Sequence, residues 1–92
     1  PAKGDAIMPE PLSDAALDQL FREARTFSRF LDRSVPEERL HAIWDLMKMG
    51  PTSANQLPAR IVWCRSEEAK DRLAAHCSPG NKDKVRAAPV VA

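Results

Sequence analysis

The chain has 92 residues, with 14 lysines and arginines against 13 aspartates and glutamates, and a formal net charge of +1 at pH 7. This length makes one domain or part of one. The near balance of charges provides no overall field that would select a nucleic acid or an anionic membrane, so we expect neither as a partner.

Cysteine and histidine usage excludes two further classes of protein. Cys64 and Cys77 have no CxxC spacing, and the two histidines are not clustered. This pattern fits neither a disulfide scaffold nor a zinc site, so we expect no metal and a reducing, cytoplasmic location. No apolar run approaches the length that a membrane crossing needs.

An extended arm and a helix are predicted first. Residues 1–12 are rich in proline and weakly patterned, which predicts an extended N-terminal arm. A helix is predicted from Ser13, because this serine can cap it and Asp14 favours its first turn. Its apolar positions at helical spacing are Ala16, Leu17, Leu20, Phe21 and Ala24.

The second helix has sharper start and stop signals. Ser34 and Glu37 have the spacing of a capping box, and Pro36 is expected inside the first turn, where its missing N–H is harmless. Gly50 is predicted to cap the C-terminus, and Pro51 prevents continuation. The apolar stripe comprises Leu40, Ile43, Trp44 and Met47.

Strands and helices are predicted in alternation after a polar loop, residues 51–58. The apolar run 61–63 predicts a strand that is covered on both faces. Ser66 is predicted to cap a third helix ending at residues 78–80, and residues 81–88 to form a fourth. Residues 89–92 read as the start of another buried strand, so we expect a piece of a larger fold.

Arginines and hydroxyl groups are concentrated between the first two helices. Arg25, Thr26 and Ser28 lie there, and such groups bind phosphate well because they donate hydrogen bonds without being deprotonated. Two other interpretations stay open: a solvated helix face, or a basic helical stripe that contacts nucleic-acid phosphates. The stripe would comprise Arg22, Arg25, Arg29 and Arg33. Interleaved acidic residues argue against nucleic acid.

Two later groups of polar residues could contact a flat ligand. The short side chains of Thr52, Ser53 and Asn55 allow a ring to approach backbone N–H groups closely. Asn81 and Lys84 are three residues apart and share one face of any helix formed there. Taken alone, each group is better explained as a solvated loop or turn.

Together, the three groups resemble the N-terminal half of the nitroreductase family of FMN-dependent oxidoreductases. The stretches GPTSANQLPARIVW and SPGNKDKVRAAPV are similar to its malonic semialdehyde reductase branch, also called 3-hydroxypropanoate dehydrogenase. The resemblance runs from Ser13 to Ala92. It implies an α+β, nitroreductase-like FMN-binding fold, of which residues 13–92 are the N-terminal part, with helices and the first sheet strands.

The resemblance also implies a set of FMN-binding residues. These are Arg25, Thr26, Ser28, Thr52, Ser53, Asn55, Asn81 and Lys84. The first three are expected at the FMN phosphate or ribityl chain, although many relatives have a basic residue at Ser28. The next three are expected beside the isoalloxazine ring of a flavin held mainly by the other subunit. Asn81 and Lys84 are expected at its polar edge, where a lysine can stabilise negative charge.

The family's activity and partners follow from the same resemblance. Its members are homodimers with the flavin at the subunit interface. NAD(P)H reduces the flavin, and flavin N5 passes hydride to a small molecule such as malonic semialdehyde, a nitro compound or a quinone. No catalytic side chain is predicted, because His41 and His76 lack a carboxylate or second histidine in register.

Two departures from the family pattern keep an alternative open. Leu57 separates Gln56 from Pro58, where common relatives have Gln-Pro or Ser-Pro. Family enzymes are also considerably longer, and their second half supplies further strands and phosphate-binding residues. The alternative is a truncated, non-catalytic fragment that acts only as a dimerising or interaction module.

Overall fold

The computed structural model describes residues 8–92, and this part of the chain is mainly helical. Its helical elements in chain order are α1 (Asp14–Leu17), a π-helical turn (Asp18–Arg22), α2 (Glu37–Met47), a 3-10 turn (Ser53–Asn55), α3 (Glu67–Ala74) and α4 (Pro79–Ala87). Of the predicted arm, residues 1–7 lie outside the described part, and residues 8–12 are exposed and outside any helix or strand.

Serine capping starts α1 as predicted. The Ser13 hydroxyl accepts the backbone N–H of Ala16 at 3.1 Å. Leu20 and Phe21 lie on the predicted apolar face, but both are more than half exposed, because no other helix of the described residues packs on this one. Ala24, predicted on the same face, lies beyond the last helical residue.

The start of α2 differs from the prediction. Pro36 is the N-cap residue, with φ −60° and ψ 146°, and does not belong to the first turn. No side chain caps this helix, so the predicted capping box of Ser34 and Glu37 is wrong. Because the helix begins two residues later than a Ser34 cap requires, Ser34 lies too far upstream for its hydroxyl to reach the N–H groups of the first turn.

The end of α2 has no left-handed glycine. Met49 and Gly50 donate their N–H groups to the carbonyl oxygens of Leu46 and Met47 at 3.2 and 3.0 Å, which tightens the last turn into 3-10 geometry. Gly50 does not have a positive φ, so the predicted glycine cap is wrong. The helix stops at this tightened turn because the carbonyls are already satisfied and Pro51 follows.

Helices α3 and α4 form the one pairing of separate helices in the described residues. Ser66 caps α3 as predicted, accepting the Ala69 N–H at 3.1 Å. The fourth helix is confirmed, but residues 78–80 begin it and do not end the third. Ser78 is its N-cap and Pro79 its first residue, a position where proline's fixed φ suits a helix.

The cap at Ser66 gives a direct test of these helix starts. Ser66→Ala is expected to lower the free energy of unfolding of the full-length protein by about 1 kcal/mol, because a backbone N–H of α3 loses its acceptor. Ser34→Ala is the matched control and should cost less than about 0.5 kcal/mol, since it caps nothing. Urea unfolding measures both. Equal losses would contradict the observed start of α2.

No strand forms within residues 8–92, so the strands predicted at 61–63 and 89–92 are wrong for this part of the chain. The two segments meet at a single antiparallel bridge, in which Cys64 and Val91 exchange N–H···O bonds of 2.7 and 3.0 Å. Val62 is 75% exposed, and Cys64 is half-buried. A strand needs a ladder of several paired residues, which one bridge does not provide.

The core of the described residues is small. Its buried members are Leu40, Ala74, Ala88 and the charged Lys70. The radius of gyration is 18.1 Å, whereas a compact domain of this length has about 12 Å. Large apolar side chains such as Leu46 and Met49 are more than three-quarters exposed. These residues therefore enclose little of their apolar surface. None of their helices is long and apolar enough to span a membrane.

Candidate functional site

The residues predicted to bind phosphate lie in the junction segment, residues 23–36, which connects the π-helical turn to α2. Arg25, Thr26 and Ser28 are all exposed there and outside any helix. Arg25 donates from Nη1 to the carbonyl oxygen of Ala24 at 2.8 Å. Among the described residues no carboxylate pairs with Arg25, so its guanidinium is available to an anion.

The structure removes the alternative of a basic helical stripe. Arg22 is the last residue of the π-helical turn, and it pairs with Asp18 at 3.0 Å and with Asp14 at 3.1 Å. The other three arginines of that stripe lie in the junction segment, where the backbone is not helical. The four side chains therefore share no helix face, and the first is already neutralised.

The polar loop has an unusual backbone. Ala54, Asn55 and Leu57 have φ values of 51°, 53° and 49°, in the left-handed region that residues other than glycine rarely adopt. Thr52 stabilises the loop, because its Oγ1 accepts the Leu57 N–H at 3.1 Å. Such conformations cost about 1–3 kcal/mol each and are concentrated at functional sites. Only Asn55, an amide residue that tolerates this region, signalled this conformation in the sequence.

Asn81 and Lys84 lie one turn apart on α4, as their spacing predicted. Asn81 donates from Nδ2 to the Ser78 hydroxyl at 3.0 Å, which orients its amide at the start of the helix. Both side chains line an open groove of about 440 Å³, here called the lysine groove. Its other walls are Phe27, Phe30, Cys77, Val85, Ala88 and residues 90–92.

The lysine groove contains one of the three predicted groups of residues, Asn81 and Lys84, beside part of the junction segment. Phe27, between Thr26 and Ser28 in the chain, faces the same groove as Asn81 and Lys84. Arg25, Thr26 and Ser28 themselves are not among the groove residues, and the polar loop does not line the groove either. Within one copy of the described chain, therefore, the junction segment and α4 share a concave surface to which the loop does not contribute.

A second and larger groove was not anticipated from the sequence. It encloses about 610 Å³ and is lined by Arg29, Arg33 and Arg39 together with apolar residues of the junction segment. We call it the basic groove; its remaining walls are Phe27, Phe30, Leu31, Ser34, Val35, Pro36 and Pro89. Arg39 comes from the first turn of α2, and nothing in its local sequence distinguished it from a solvated helix residue.

The histidines and cysteines form no reactive cluster in residues 8–92. No group of three or more potential metal ligands occurs in this part of the chain. Both Cys64 and Cys77 are free thiols. His41 does have a carboxylate in register, contrary to the prediction, because Glu37 lies one turn earlier with Oε1 3.8 Å from Nε2. Both side chains are about three-quarters exposed, so this pair is a surface contact.

Comparison with known proteins identifies the family. The family model described as the nitroreductase family matches residues 21–92, which include the junction segment, the polar loop and α4. The chain belongs to the nitroreductase family. This confirms the resemblance seen in the sequence, and the chain corresponds to the N-terminal half of its relatives.

Three curated relatives carry the provisional name NADH dehydrogenase/NAD(P)H nitroreductase. One from Stenotrophomonas maltophilia K279a is 55% identical over 85 residues, covering 92% of this chain and 43% of the relative. One from Streptomyces coelicolor is 54% identical over 81 residues, covering 88% and 41%. One from Ralstonia pickettii is 57% identical over 77 residues, covering 84% and 39%. The chain thus spans less than half the length of each.

Proposed function

We propose that this chain is the N-terminal, FMN-binding part of an NAD(P)H-dependent oxidoreductase. The observation that carries the proposal is the lysine groove, where Asn81 and Lys84 face the same concave surface as Phe27 of the junction segment. Membership of the nitroreductase family supports it, as do the relatives' names. In this proposal residues 13–92 belong to one α+β domain of a cytoplasmic enzyme, and residues 1–12 form an arm.

The residues present fit FMN chemically. A phosphate dianion needs donors that remain charged, and Arg25 has no carboxylate partner among the described residues, with hydroxyls at Thr26 and Ser28 close by in the chain. A flat ring with polar edges suits a groove that combines phenylalanine walls with an amide and an ammonium group. Bound FMN would supply the hydride acceptor and donor.

The protein's own side chains would bind the FMN ring and orient it. Lys84 would place a positive charge at the edge of the groove, where it favours negative charge on a bound ring. Asn81, held by its hydrogen bond to Ser78, would present its amide to the same edge. The loop residues Thr52, Ser53 and Asn55 would cover a ring face, because their side chains are short and the left-handed backbone turns sharply.

We further propose that the complete site forms between two copies of the protein. The polar loop does not line the lysine groove of its own chain, as expected if it covers a flavin held by the other subunit. Apolar side chains of α2, such as Leu46 and Met47, are more than half exposed and could be covered by a partner copy. The interface would then complete both the site and the core.

The substrate is proposed from the branch of the family that the polar loop and the start of α4 resemble. An aldehyde of the malonic semialdehyde type is the first candidate, and a nitro compound or a quinone is the second. The full-length protein with bound FMN should oxidise NADPH or NADH faster when a substrate of one of these classes is added. Ranking the classes by kcat/KM measures this preference.

The flavin itself provides the first experiment. Freshly purified full-length protein should be yellow, with an absorption band in the blue, and a colourless preparation should keep the band after FMN is added and unbound FMN is removed by desalting. Protein that is colourless after this treatment would overturn the proposal.

The alternative of a non-catalytic interaction module is favoured by one observation, the large exposed apolar surface of the described residues. It predicts no flavin band in either preparation, together with self-association or capture of a complementary chain. Measuring absorbance and molecular mass on the same sample distinguishes the two functions.

A further inference from the structure

The basic groove carries more uncompensated positive charge than any other concave surface described above. Arg29, Arg33 and Arg39 line it, all three are exposed, and none has a carboxylate partner among the described residues. Elsewhere Arg22 and Arg86 are paired with aspartates at 3.0–3.1 Å. Guanidinium groups without an internal partner favour a ligand with phosphate or carboxylate groups.

The walls of this groove restrict the ligand further. Phe27, Phe30 and Val35 provide apolar surface beside the arginines, so the groove suits a ligand with both anionic groups and a flat apolar body. Arg65 holds one wall in place, because its Nη2 donates to the carbonyl oxygen of Val35 at 3.3 Å. A bare inorganic anion would leave the aromatic surface uncovered.

The basic groove adjoins the lysine groove. Phe27 and Phe30 line both, so the two concave surfaces meet at this aromatic pair. A ligand long enough to pass the pair would have one end in the lysine groove and the other among the three arginines. Arg25 and Thr26, proposed for the flavin phosphate, are not among the residues that line the basic groove.

We propose that the basic groove binds the phosphate groups of the nicotinamide dinucleotide that reduces the flavin. This inference rests on the proposed function. The dinucleotide carries anionic phosphates and a flat adenine, which match the arginines and the phenylalanines, and its nicotinamide must reach the flavin beside Lys84. Binding there would make Arg29, Arg33 and Arg39 determinants of affinity for NADPH or NADH.

The test compares arginine variants of the FMN-saturated, full-length protein. Arg33→Gln and Arg39→Gln are each expected to raise KM for the dinucleotide by roughly 10-fold, with kcat and the FMN dissociation constant unchanged within about twofold. Arg72→Gln is the matched control, because it removes the same charge from an exposed position of α3 outside both grooves. It should leave KM unchanged.

The outcomes separate this inference from the proposed function. A larger rise for NADPH than for NADH assigns the arginines to the 2′-phosphate, and equal rises assign them to the pyrophosphate; either supports the proposal. Unchanged KM values for both dinucleotides in the variant that combines Arg33→Gln and Arg39→Gln would overturn it while leaving FMN binding intact. A raised FMN dissociation constant with unchanged KM would also overturn it, and would assign the basic groove to the flavin phosphate.

Discussion

Arg25→Ala is expected to raise the dissociation constant for FMN by roughly 10- to 150-fold in the full-length protein. The guanidinium has no carboxylate partner among the described residues, so its removal costs little within the protein. In the proposed complex it would lose a charged hydrogen bond to phosphate, worth about 1.5–3 kcal/mol. Fluorescence quenching during titration with FMN measures the change.

Two further variants make this test specific. Arg25→Lys keeps the charge but loses the planar fork that binds two phosphate oxygens, so its dissociation constant should lie between those of the wild type and the alanine variant. Arg72→Ala removes an exposed arginine from α3 and should not change FMN affinity. If all three variants bind FMN as the wild type does, Arg25 is not a phosphate ligand.

Lys70→Met is expected to lower the free energy of unfolding of the full-length protein by about 2 kcal/mol. The Lys70 ammonium lies among buried residues, its side chain only 5% exposed, and it donates to the Ala88 carbonyl oxygen at 2.9 Å and to Glu67 at 2.9 Å. Methionine keeps the apolar stem, so the loss comes from the buried carbonyl left without a donor, which costs about 1–3 kcal/mol. The Glu67 side chain is 81% exposed and stays hydrated in the variant, so losing its ion pair with Lys70 adds little to the loss of stability.

An exposed lysine pair provides the comparison. Lys48 donates to Asp45 at 3.0 Å, but both side chains are substantially exposed, so Lys48→Met should cost less than about 1 kcal/mol. Chemical unfolding of both variants measures the difference. Equal losses would mean that Lys70 does not hold α3 against the end of α4.

Helix positions were largely predictable because their signals are local. Ser13 and Ser66 each accept an N–H three residues ahead, an interaction that needs no distant part of the chain. The predicted capping box of α2 failed because the helix begins at Glu37, after an N-cap at Pro36, which leaves Ser34 two residues before the cap position. The strand predictions failed for a different reason. A strand forms only when it pairs with another segment, and the local sequence does not show where that segment lies.

Part of the candidate site was also predictable. Asn81 and Lys84 lie on one helix face because their spacing and the helical sequence around them are local properties. The left-handed backbone at Ala54 and Leu57 could not be predicted, because neither residue type favours a positive φ. That conformation depends on the hydrogen bond from the Leu57 N–H to Thr52, a contact across five residues.

The sequence by itself determined the family, the helix starts at Ser13 and Ser66, and the residue types available to bind a phosphorylated, flat ligand. Only the tertiary structure decided that Lys70 is buried, that the backbones of Cys64 and Val91 form a bridge, and that the junction segment lines two grooves. The reason is physical. Caps and helix faces depend on neighbours a few residues away, whereas burial and concave surfaces depend on distant segments that meet only when the chain folds.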